Sequence, residues 1–513
     1  MAFVRYEYLS FDNEKFFTII LTPEKEGKFP SVIMRSPYVK GDMEKSEEEL
    51  LNGFLLNNAV YTENGYAVVF QHCRGRGKSS GAFIPYVHER EDGLFLLSWV
   101  RNQSFYNGEI FLSGGSYTAS LHYTTAPFSG DIKGAVFDVQ DSERYRLWYR
   151  NGQMRRGHAN WHFDLYKDKC GLNKCFNMAS FSELPVKGLS ERVLSDRADD
   201  FEEMLDAPFI SDSFWQTRNG GAEARNAVKD VNFPVLLTSG YNDFYIGGMF
   251  RMWEEMTDRA REKSAFIVSP YNHGQGYDKI NGIGFASATV AEKFGGDYRI
   301  KWFNAIRKKE KPFVETGKIT YYRTFEDKWA VDFYKEETEG IKIPLGSGEK
   351  TIFYNPENPP SFNAEGIFMK DMSEREDVIT LYTEPFSRDA FVKGQMKACL
   401  TVSSSAKDTS FYIMVGIETE NGDYSLRHDI TSILYQKDCY VPGEKITLDF
   451  SFDEYACLIK KGGRLRIDIA PTDKNTYVCH TNIKGKYSEI EESAKAENKV
   501  FLDESYILLP VEI

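Results

Sequence analysis

The sequence contains no run of about 18 consecutive apolar residues, the length that a membrane-spanning helix requires. Residues 1–17 alternate charged and aromatic side chains and lack the apolar stretch of a signal peptide. Basic residues are not clustered, and the net charge is −13, from 63 basic and 76 acidic side chains. Phosphate binding needs clustered Lys and Arg, so nucleic acid is not expected as a partner. We therefore expect a cytoplasmic protein without a membrane partner.

Cysteine is also scarce. The seven cysteines are scattered and odd in number, which predicts reduced thiols rather than a disulfide framework, and no spacing predicts a metal site. Glycine motifs for nucleotides are incomplete: Gly75-x-Gly77 lacks a third glycine because position 80 is Ser, and Gly77-Lys78-Ser79 lacks the first glycine of a phosphate loop. The sequence predicts no cofactor and no metal.

Strand-like and helix-like segments alternate over the first 309 residues. Continuous apolar runs are typical of parallel strands buried on both faces, and alternation with helices predicts a doubly wound α/β domain. Two short runs near the N-terminus predict an antiparallel start to the sheet. The predicted strands are Tyr6–Ser10, Phe16–Leu21, Pro30–Met34, Tyr66–Phe70, Ile110–Leu112, Gly134–Val139, Pro234–Thr238 and Ala265–Val268. The predicted helices are Glu91–Arg101, Tyr117–Thr125, Gly248–Arg261 and Ala288–Lys309.

Two regions depart from this alternation. Residues 141–230 show helical spacing and no clear strand, which predicts a helical cap inserted between residues 1–140 and 231–337 of the α/β core. Residues 338–513 contain short alternating segments separated by Gly, Pro, Asn and Asp, which is typical of a jelly-roll β-sandwich. We predict a linker at Thr338–Lys350. The predicted sandwich strands include Lys397–Val402, Ser410–Ile417, Lys445–Phe450 and Arg464–Ala470.

Polar or reactive groups follow the predicted strands of the α/β core. Ligands gather at the carboxyl ends of strands in open α/β sheets, so we expect these groups to meet. In chain order they are Tyr38, Arg74-Gly75-Arg76-Gly77, Ser116, Asp243 and His273. Ser116 lies in Gly114-Gly115-Ser116-Tyr117, between a strand and a helix, where a tight turn holds the hydroxyl near the positive end of the helix. That position predicts a nucleophile.

The order nucleophile, acid, histidine is that of α/β-hydrolases. Of the eight histidines, three follow Asp243, and two of those fall in the predicted β-sandwich, which leaves His273. We predict that His273 takes the proton of Ser116 and that Asp243 orients the imidazole. Thr118 occupies the last glycine position of the G-x-S-x-G pattern, and Ala119 after it is still small. The alternative for His273 alone is a structural loop histidine.

Two further sets of side chains have a predicted role. The developing oxyanion needs two donors, for which we predict the backbone N–H of Tyr117 and the hydroxyl of Tyr38. The alternative for Tyr38 is a buried tyrosine with a satisfied hydroxyl. The cap contains five arginines among aromatic residues, which favours either an amphipathic helix packed on the core or a pocket for an aromatic or carboxylate-bearing acyl group. The arginines are Arg144, Arg146, Arg150, Arg155 and Arg156, and the predicted substrate-binding residues are Trp148, Arg150, Trp161 and His162.

With these residues, the chain resembles the cocaine-esterase/X-prolyl-dipeptidyl-peptidase (CocE/NonD) family of hydrolases. The resemblance extends over nearly the whole chain and is specific when its segments are taken together. They are Arg35-Ser36-Pro37-Tyr38, residues 71–79, Glu91-Asp92-Gly93, Asn107-Gly108, Gly114-Gly115-Ser116-Tyr117, Gly240-Tyr241-Asn242-Asp243 and Pro270-Tyr271-Asn272-His273-Gly274, with Tyr354-Asn355-Pro356 and residues 407–411 in the β-sandwich. The sequence departs from the family at His72-Cys73, Ala119 and Tyr271, and the first departure could alter the pocket wall.

The resemblance implies an α/β-hydrolase core with a helical cap and a jelly roll. It also implies the triad of Ser116, Asp243 and His273, with Tyr38 as an oxyanion donor. Family members include esterases, acylases, α-amino-acid ester hydrolases and X-prolyl peptidases. The peptidase branch often has an N-terminal helical domain, whereas strands begin at once here, so we expect a serine esterase or amidase that acts on a small substrate.

Two alternatives remain. The chain could be an X-Pro dipeptidyl aminopeptidase or α-amino-acid ester hydrolase, which would need a cap carboxylate for the substrate's amine, with Asp164, Glu183 and Asp199 as candidates. It could also be a carbohydrate- or partner-binding jelly roll on a scaffold hydrolase domain. A homo-oligomer stays open.

Overall fold

The structure of the protein is a computed structural model that describes residues 2–39, 41–170, 181–194, 197–274, 285, 288–334, 338–363 and 365–512. A ten-stranded mixed sheet forms the N-terminal part, in the order β1-β2-β4-β3-β5-β6-β9-β10-β11-β12. Its strands are β1 (Phe3–Phe11), β2 (Glu14–Thr22), β3 (Phe29–Ser36), β4 (Ala67–His72), β5 (Tyr106–Gly115), β6 (Ile132–Asp138), β9 (Val235–Gly240), β10 (Ala265–Ser269), β11 (Ile319–Arg323) and β12 (Lys328–Asp332). The predicted α/β fold class is confirmed.

The middle of this sheet is parallel and buried. Strands β3 to β6, β9, β10 and β11 pair in parallel, while β1 with β2, β2 with β4 and β11 with β12 pair antiparallel. Val68, Val69 and Leu112 are fully buried because helices pack on both faces. The β1–β2 hairpin turns at Asp12 and Asn13, which both have positive φ. The carboxyl ends of the parallel strands therefore meet at one edge.

The helices of this domain are more numerous than the pattern predicts. They are α1 (Glu47–Glu63), α2 (Glu89–Arg101), α3 (Tyr117–Tyr123), α9 (Ile246–Glu255), α10 (Asp258–Arg261), α11 (Val290–Phe294) and α12 (Tyr298–Lys308). The predicted helix Gly248–Arg261 is wrong as one element, because Thr257 caps a second helix by accepting from Ala260 N. The predicted helix Ala288–Lys309 is likewise divided, at Gly295. Helix α1 was not predicted.

A helical cap separates β6 from β9. It contains α4 (Arg144–Trp148), β7 (Tyr149–Arg150), β8 (Gln153–Met154), α5 (Arg156–Cys170), α6 (Leu189–Leu194), α7 (Asp199–Leu205) and α8 (Ala222–Ala227). A hydrophobic cluster that includes Trp148, Phe163 and Trp215 fills the cap and continues into the α/β core through Tyr117 and Leu121. A short hairpin of two strands with two residues each, β7 and β8, lies where the pattern predicted no strand. The limits 141 and 230 stay predictions.

The C-terminal part is all-β. Its strands are β13 (Thr338–Pro344), β14 (Glu349–Tyr354), β15 (Ile379–Tyr382), β16 (Ala390–Gly394), β17 (Lys397–Ser404), β18 (Ser410–Thr419), β19 (Gly422–Ser432), β20 (Ile446–Ser451), β21 (Tyr455–Ile459), β22 (Leu465–Ala470) and β23 (Ala496–Glu512), and α13 (Ile433–Gln436) follows β19. A seven-stranded and a four-stranded antiparallel sheet result. The predicted jelly-roll sandwich is confirmed.

The predicted linker Thr338–Lys350 is wrong. Strand β13 occupies most of it and pairs antiparallel with the end of β23, where Ile341 lies opposite Leu509 and Ile343 opposite Ile507. Strand β14 begins at Glu349 and pairs with the first half of β23. The alternation of Ile341, Lys342 and Ile343 is the period-two pattern of a strand, which accounts for the pairing.

No helix within the described part of the chain combines the length and the apolar character that crossing a membrane requires.

Candidate active site

Ser116 occupies a strained turn between β5 and α3. Its backbone has φ +56° and ψ −134°, a conformation that non-glycine residues adopt rarely and at a free-energy cost of about 1–3 kcal/mol. The Ser116 N–H donates to the Asp138 carbonyl oxygen at 2.9 Å, which fastens the turn to strand β6. A serine in this backbone conformation, at the point where a strand turns into a helix, has the geometry of a nucleophile elbow.

The residues around Ser116 allow this turn. A Cβ on Gly114 would lie 2.3 Å from the Thr118 carbonyl oxygen, so only glycine fits there. Thr118, which replaces the usual last glycine, accepts from Gly115 N at 2.8 Å and donates to Gly115 O at 2.7 Å through its hydroxyl. Ala119 is fully buried. The two hydrogen bonds between the Thr118 hydroxyl and the Gly115 backbone thus stabilise the turn despite the departure from the G-x-S-x-G pattern.

Asp243 and His273 lie after neighbouring strands, β9 and β10. Asp243 is fully buried, and its Oδ1 accepts from Tyr245 N at 2.9 Å. The Nδ1 atom of His273 lies 3.2 Å from Oδ2 and 3.3 Å from Oδ1 of Asp243. Since Nδ1 is committed to this carboxylate, the neutral imidazole carries its free lone pair on Nε2.

The imidazole of His273 is held by aromatic rings and by charge. It stacks on Phe244 with ring centroids 4.9 Å apart and meets Tyr245 edge-on at 5.2 Å. Burial opposes protonation of His273, but the charge of Asp243 and the hydrogen bond to it outweigh burial and raise the pKa of His273 above its ordinary value. The site therefore stabilises an imidazolium, which a general base becomes once it accepts a proton.

Ser116 and His273 border one cavity of about 540 Å³. Tyr38, Trp161 and Tyr245 also line it, so the wall is largely aromatic. Asn475 and Thr476 of the β-sandwich complete another side of the cavity. The Arg156 backbone N–H donates to the Thr476 carbonyl oxygen at 3.0 Å, which joins the cap to this sandwich loop.

The Tyr38 hydroxyl lies beside the nucleophile turn. Trp161 donates to it through Nε1 at 3.1 Å. Burial raises the pKa of Tyr38, while hydrogen bonds to its oxygen from Trp161, the Ser116 side chain and the Tyr117 backbone N–H partly offset the rise. The net shift is upward, so the hydroxyl keeps its proton and remains a donor. Both predicted oxyanion donors, Tyr38 and the Tyr117 N–H, therefore meet beside Ser116.

A buried network of hydrogen bonds and an ion pair holds the side chain of Tyr117, the residue after Ser116. The Tyr117 hydroxyl donates to Glu89 Oε1 at 2.6 Å and accepts from Tyr86 N at 2.9 Å. Glu89 forms an ion pair with Arg35 at 3.0 Å, and both are nearly fully buried. Sequence reasoning assigned no role to Glu89. Its position just before predicted helix Glu91–Arg101 was the available signal, since acidic residues favour the first turn of a helix.

The segment that resembles a phosphate loop forms a turn. Gly75 has φ +67°, and a Cβ there would lie 2.4 Å from Phe83 N. Arg74 forms an ion pair with Asp92 at 2.6 Å. Burial lowers the pKa of His72 to about 4 despite the opposing charge of Asp42. Neither His72 nor Cys73 lines the described part of the cavity wall.

The structure separates the four predicted substrate-binding residues. Trp161 borders the cavity. Trp148 and His162 are fully buried against each other in the cap, with ring centroids 5.3 Å apart. Arg150 binds Asp429 at 2.7 Å and Asp453 at 2.9 Å in the β-sandwich. We therefore leave these three out of the proposed substrate site. Arg155 and His158 border the cavity instead, and His158 was not predicted.

Comparison with known proteins places the chain in a family. The family model for X-Pro dipeptidyl-peptidase (S15 family) matches residues 12–275, and the model for the X-Pro dipeptidyl-peptidase C-terminal non-catalytic domain matches residues 308–506. The cocaine esterase of Rhodococcus sp. (strain MB1 Bresler) is 22% identical, with 95% of each chain covered.

Solved structures share the whole fold. An aminopeptidase from the marine sediment archaeon Thaumarchaeota archaeon superposes with a TM-score of 0.79 at 18% identity, covering 99% of this chain and 96% of that one. An α-amino acid ester hydrolase superposes with a TM-score of 0.78 at 18% identity, covering 100% and 97%. The resemblance seen in the motifs is confirmed, and because residues 12–275 are just over half of the 513, the chain belongs to the X-Pro dipeptidyl-peptidase (S15) family.

Proposed function

We propose that Ser116, His273 and Asp243 are the catalytic triad of this protein, which by its family is a serine hydrolase of ester or amide bonds. One observation carries the assignment. The imidazole bound to Asp243 through Nδ1 shares a cavity wall with a serine on a strained strand-to-helix turn. The three residues follow different strands of one sheet and reach the same edge, in the order that α/β-hydrolases use.

The chemistry follows from these positions. Nε2 of His273 takes the proton of the Ser116 hydroxyl while Oγ attacks the substrate carbonyl. The imidazolium then donates that proton to the leaving alcohol or amine as the bond to the acyl carbon breaks. Water then gives a proton to His273 and attacks the acyl carbon of the acyl-enzyme ester. The bond between the acyl carbon and Oγ breaks, the imidazolium returns its proton to Oγ of Ser116, and the acid leaves. Asp243 stays ionised throughout and stabilises the imidazolium in each half of the cycle.

The oxyanion of the tetrahedral intermediate is proposed to bind the Tyr38 hydroxyl and the Tyr117 N–H. Replacing Tyr38 with Phe deletes one donor and leaves the ring in place, so we expect kcat to fall by about 10²–10³-fold with little change in KM. Steady-state kinetics on a p-nitrophenyl ester measure this. Tyr6→Phe, at an exposed position on β1, is the matched control. An unchanged kcat in Tyr38→Phe would remove Tyr38 from the site.

The choice between ester and peptide substrates depends on the cavity wall. A dipeptidyl aminopeptidase or α-amino-acid ester hydrolase needs an acid for the substrate's free amine, and no carboxylate lines the described part of the cavity. The three acids considered for this role, Asp164, Glu183 and Asp199, are exposed residues that do not line it. This wall favours an ester or amide substrate without a free amine.

Two substrates distinguish these activities. We expect the enzyme to hydrolyse a p-nitrophenyl ester of a short carboxylic acid with a higher kcat/KM than Ala-Pro-p-nitroanilide. Nitroanilides react more slowly than esters in general. The kcat/KM of each substrate is therefore divided by that of a reference compound, which is the N-acetylated form for Ala-Pro-p-nitroanilide and the ester with an unbranched acyl chain for the p-nitrophenyl ester. A gain from the free amine would favour the aminopeptidase alternative and contradict this choice.

A further inference from the structure

One face of the cap helix α5 and the residue before it border the active-site cavity. Arg155, His158 and Trp161 are spaced three residues apart, so they lie on the same side of the helix, and all three line the cavity that contains Ser116. Trp161 already contacts the proposed oxyanion donor Tyr38. The other two bring a cation and an imidazole to a wall that is otherwise largely aromatic.

Arg155 has no ionic partner among the described residues. Its Nε is buried without an acceptor, and its guanidinium lies over the Tyr477 ring at 6.0 Å. Burial raises the pKa of Asp453, but the charges of Arg150, Arg427 and Arg155 outweigh it and lower the pKa, and the Asp453 carboxylate binds Arg150 at 2.9 Å. Glu365 also lies near this part of the cap interface, where its carboxylate binds Arg427 at 2.7 Å and accepts from the His428 backbone N–H at 3.2 Å.

The other cap arginines differ from Arg155. Arg150 binds two aspartates of the sandwich. Arg144 donates to the Asn219 carbonyl and pairs with Asp200, and Arg156 donates to the Lys474 carbonyl. Arg146 is exposed to solvent. A half-buried guanidinium without an acceptor is costly unless a ligand supplies one, and its planar fork matches a carboxylate through two parallel hydrogen bonds.

His158 adds a polar group without adding charge. It is 6% exposed, and its Nε2 has no hydrogen-bond partner among the described residues. Its ring stacks on Trp161 at 4.7 Å and meets Trp148 edge-on at 5.1 Å. Burial, reinforced by the charge of Arg144, lowers the pKa of His158 well below its ordinary value. The neutral ring can hydrogen-bond a substrate oxygen but does not attract an acid by charge.

We propose that Arg155 binds a carboxylate of the substrate, with His158 beside it, and that the enzyme therefore selects esters or amides that carry a negative charge. The inference rests on the proposed function, because it takes the cavity beside Ser116 to be the substrate site. The inferred substrate carries a negative charge, whereas a substrate with a free amine carries a positive charge.

Paired substrates that differ only in a carboxylate and its methyl ester test the proposal. The first pair places the charge on the acyl group: mono-p-nitrophenyl adipate and its methyl ester. The second places it on the leaving group: 3-acetoxybenzoate and its methyl ester. For at least one pair we expect the wild-type preference in kcat/KM for the acid over its methyl ester to fall about 10- to 100-fold in Arg155→Gln, mainly through KM. Comparison between variants cancels the intrinsic reactivity of each ester.

Two further variants make the result specific. Arg155→Lys keeps the charge without the fork, so it should retain part of the preference. Arg146→Gln removes an exposed charge from the same cap segment and should leave the preference at the wild-type value. Binding of adipate to Ser116→Ala, measured by calorimetry, reports the subsite without turnover, and the added Arg155→Gln change should weaken it at least about tenfold.

The outcomes separate the two proposals. If the wild type hydrolyses these esters but Arg155→Gln keeps the same preference for both pairs, Arg155 does not bind a carboxylate, while the triad assignment stands. If a free-amine ester is preferred over both acids, the charge assignment is wrong. If the wild type hydrolyses no ester and does not react with a fluorophosphonate, the proposed function fails, and this inference fails with it.

Discussion

Ser116→Ala is expected to lower kcat for a p-nitrophenyl ester about 10⁶-fold, because it removes the atom that forms the acyl-enzyme. The same change should abolish covalent labelling by a fluorophosphonate, which in the wild type should attach to the peptide that contains Ser116. The strained backbone conformation at φ +56° does not depend on the Ser116 hydroxyl, so the variant should keep the wild-type fold. Mass spectrometry of the labelled protein and thermal unfolding measure the two effects.

Ser98→Ala is the matched control for this experiment. Ser98 is exposed on α2, so its loss should leave both turnover and labelling at wild-type values. Equal labelling of Ser116→Ala and wild type would mean that another residue is the nucleophile. No labelling of the wild type would support the binding-protein alternative instead.

Asp243→Asn is expected to lower kcat about 10⁴-fold. If the amide oxygen keeps the hydrogen bond from Tyr245 N, the NH₂ replaces Oδ2 and donates to Nδ1 of His273. The imidazole then carries its proton on Nε2, which can no longer accept from Ser116. Asn matches Asp in size, and its Oδ1 can still accept from Tyr245 N, so the loop after β9 should keep its conformation. Steady-state kinetics and circular dichroism separate the loss of activity from unfolding.

The pH profile gives Asp243→Asn a second readout. A general base must be neutral, so kcat/KM falls as pH drops through the pKa of His273. Asp243 raises that pKa, and burial alone would lower it. Removing the charge should therefore move the acidic limb of the residual activity to lower pH. Asp230→Asn, at an exposed position, should leave the limb in place. An unmoved limb in Asp243→Asn would contradict the assignment of Asp243.

The parallel sheet could be predicted because its strands are continuous apolar runs. Val68, Val69 and their neighbours are buried on both faces, and no other element fits such runs of five or six residues. Strand β12 was missed because it forms the outer edge of the sheet, where Lys328–Asp332 is only partly buried. Strand β11 beside it was also missed, although its first four residues are buried. Helix α1 was missed because its apolar residues do not concentrate on one face, although Ser46 and Glu49 form a capping box.

The candidate triad could be predicted for a different reason. Ser116, Asp243 and His273 each follow a strand, and topology alone brings the ends of those strands to one edge. No comparable rule of topology predicts which side chains of the cap meet in one site. Trp148, Arg150 and His162 have the residue types of a substrate pocket, but their directions depend on how cap and sandwich pack, which spacing does not encode. The three-residue spacing from Arg155 to Trp161 was visible, yet only the helix's placement shows which face meets the cavity.

The loop that contains Asn475 and Thr476 makes the C-terminal domain part of the wall of the candidate active-site cavity. It is anchored to the cap through the Arg156–Thr476 hydrogen bond and contributes no group to the proposed proton transfers. Exchanging this loop between relatives should thus alter which molecules are accepted while leaving the bond-breaking step intact. The second domain offers a route to new specificity that does not disturb the nucleophile.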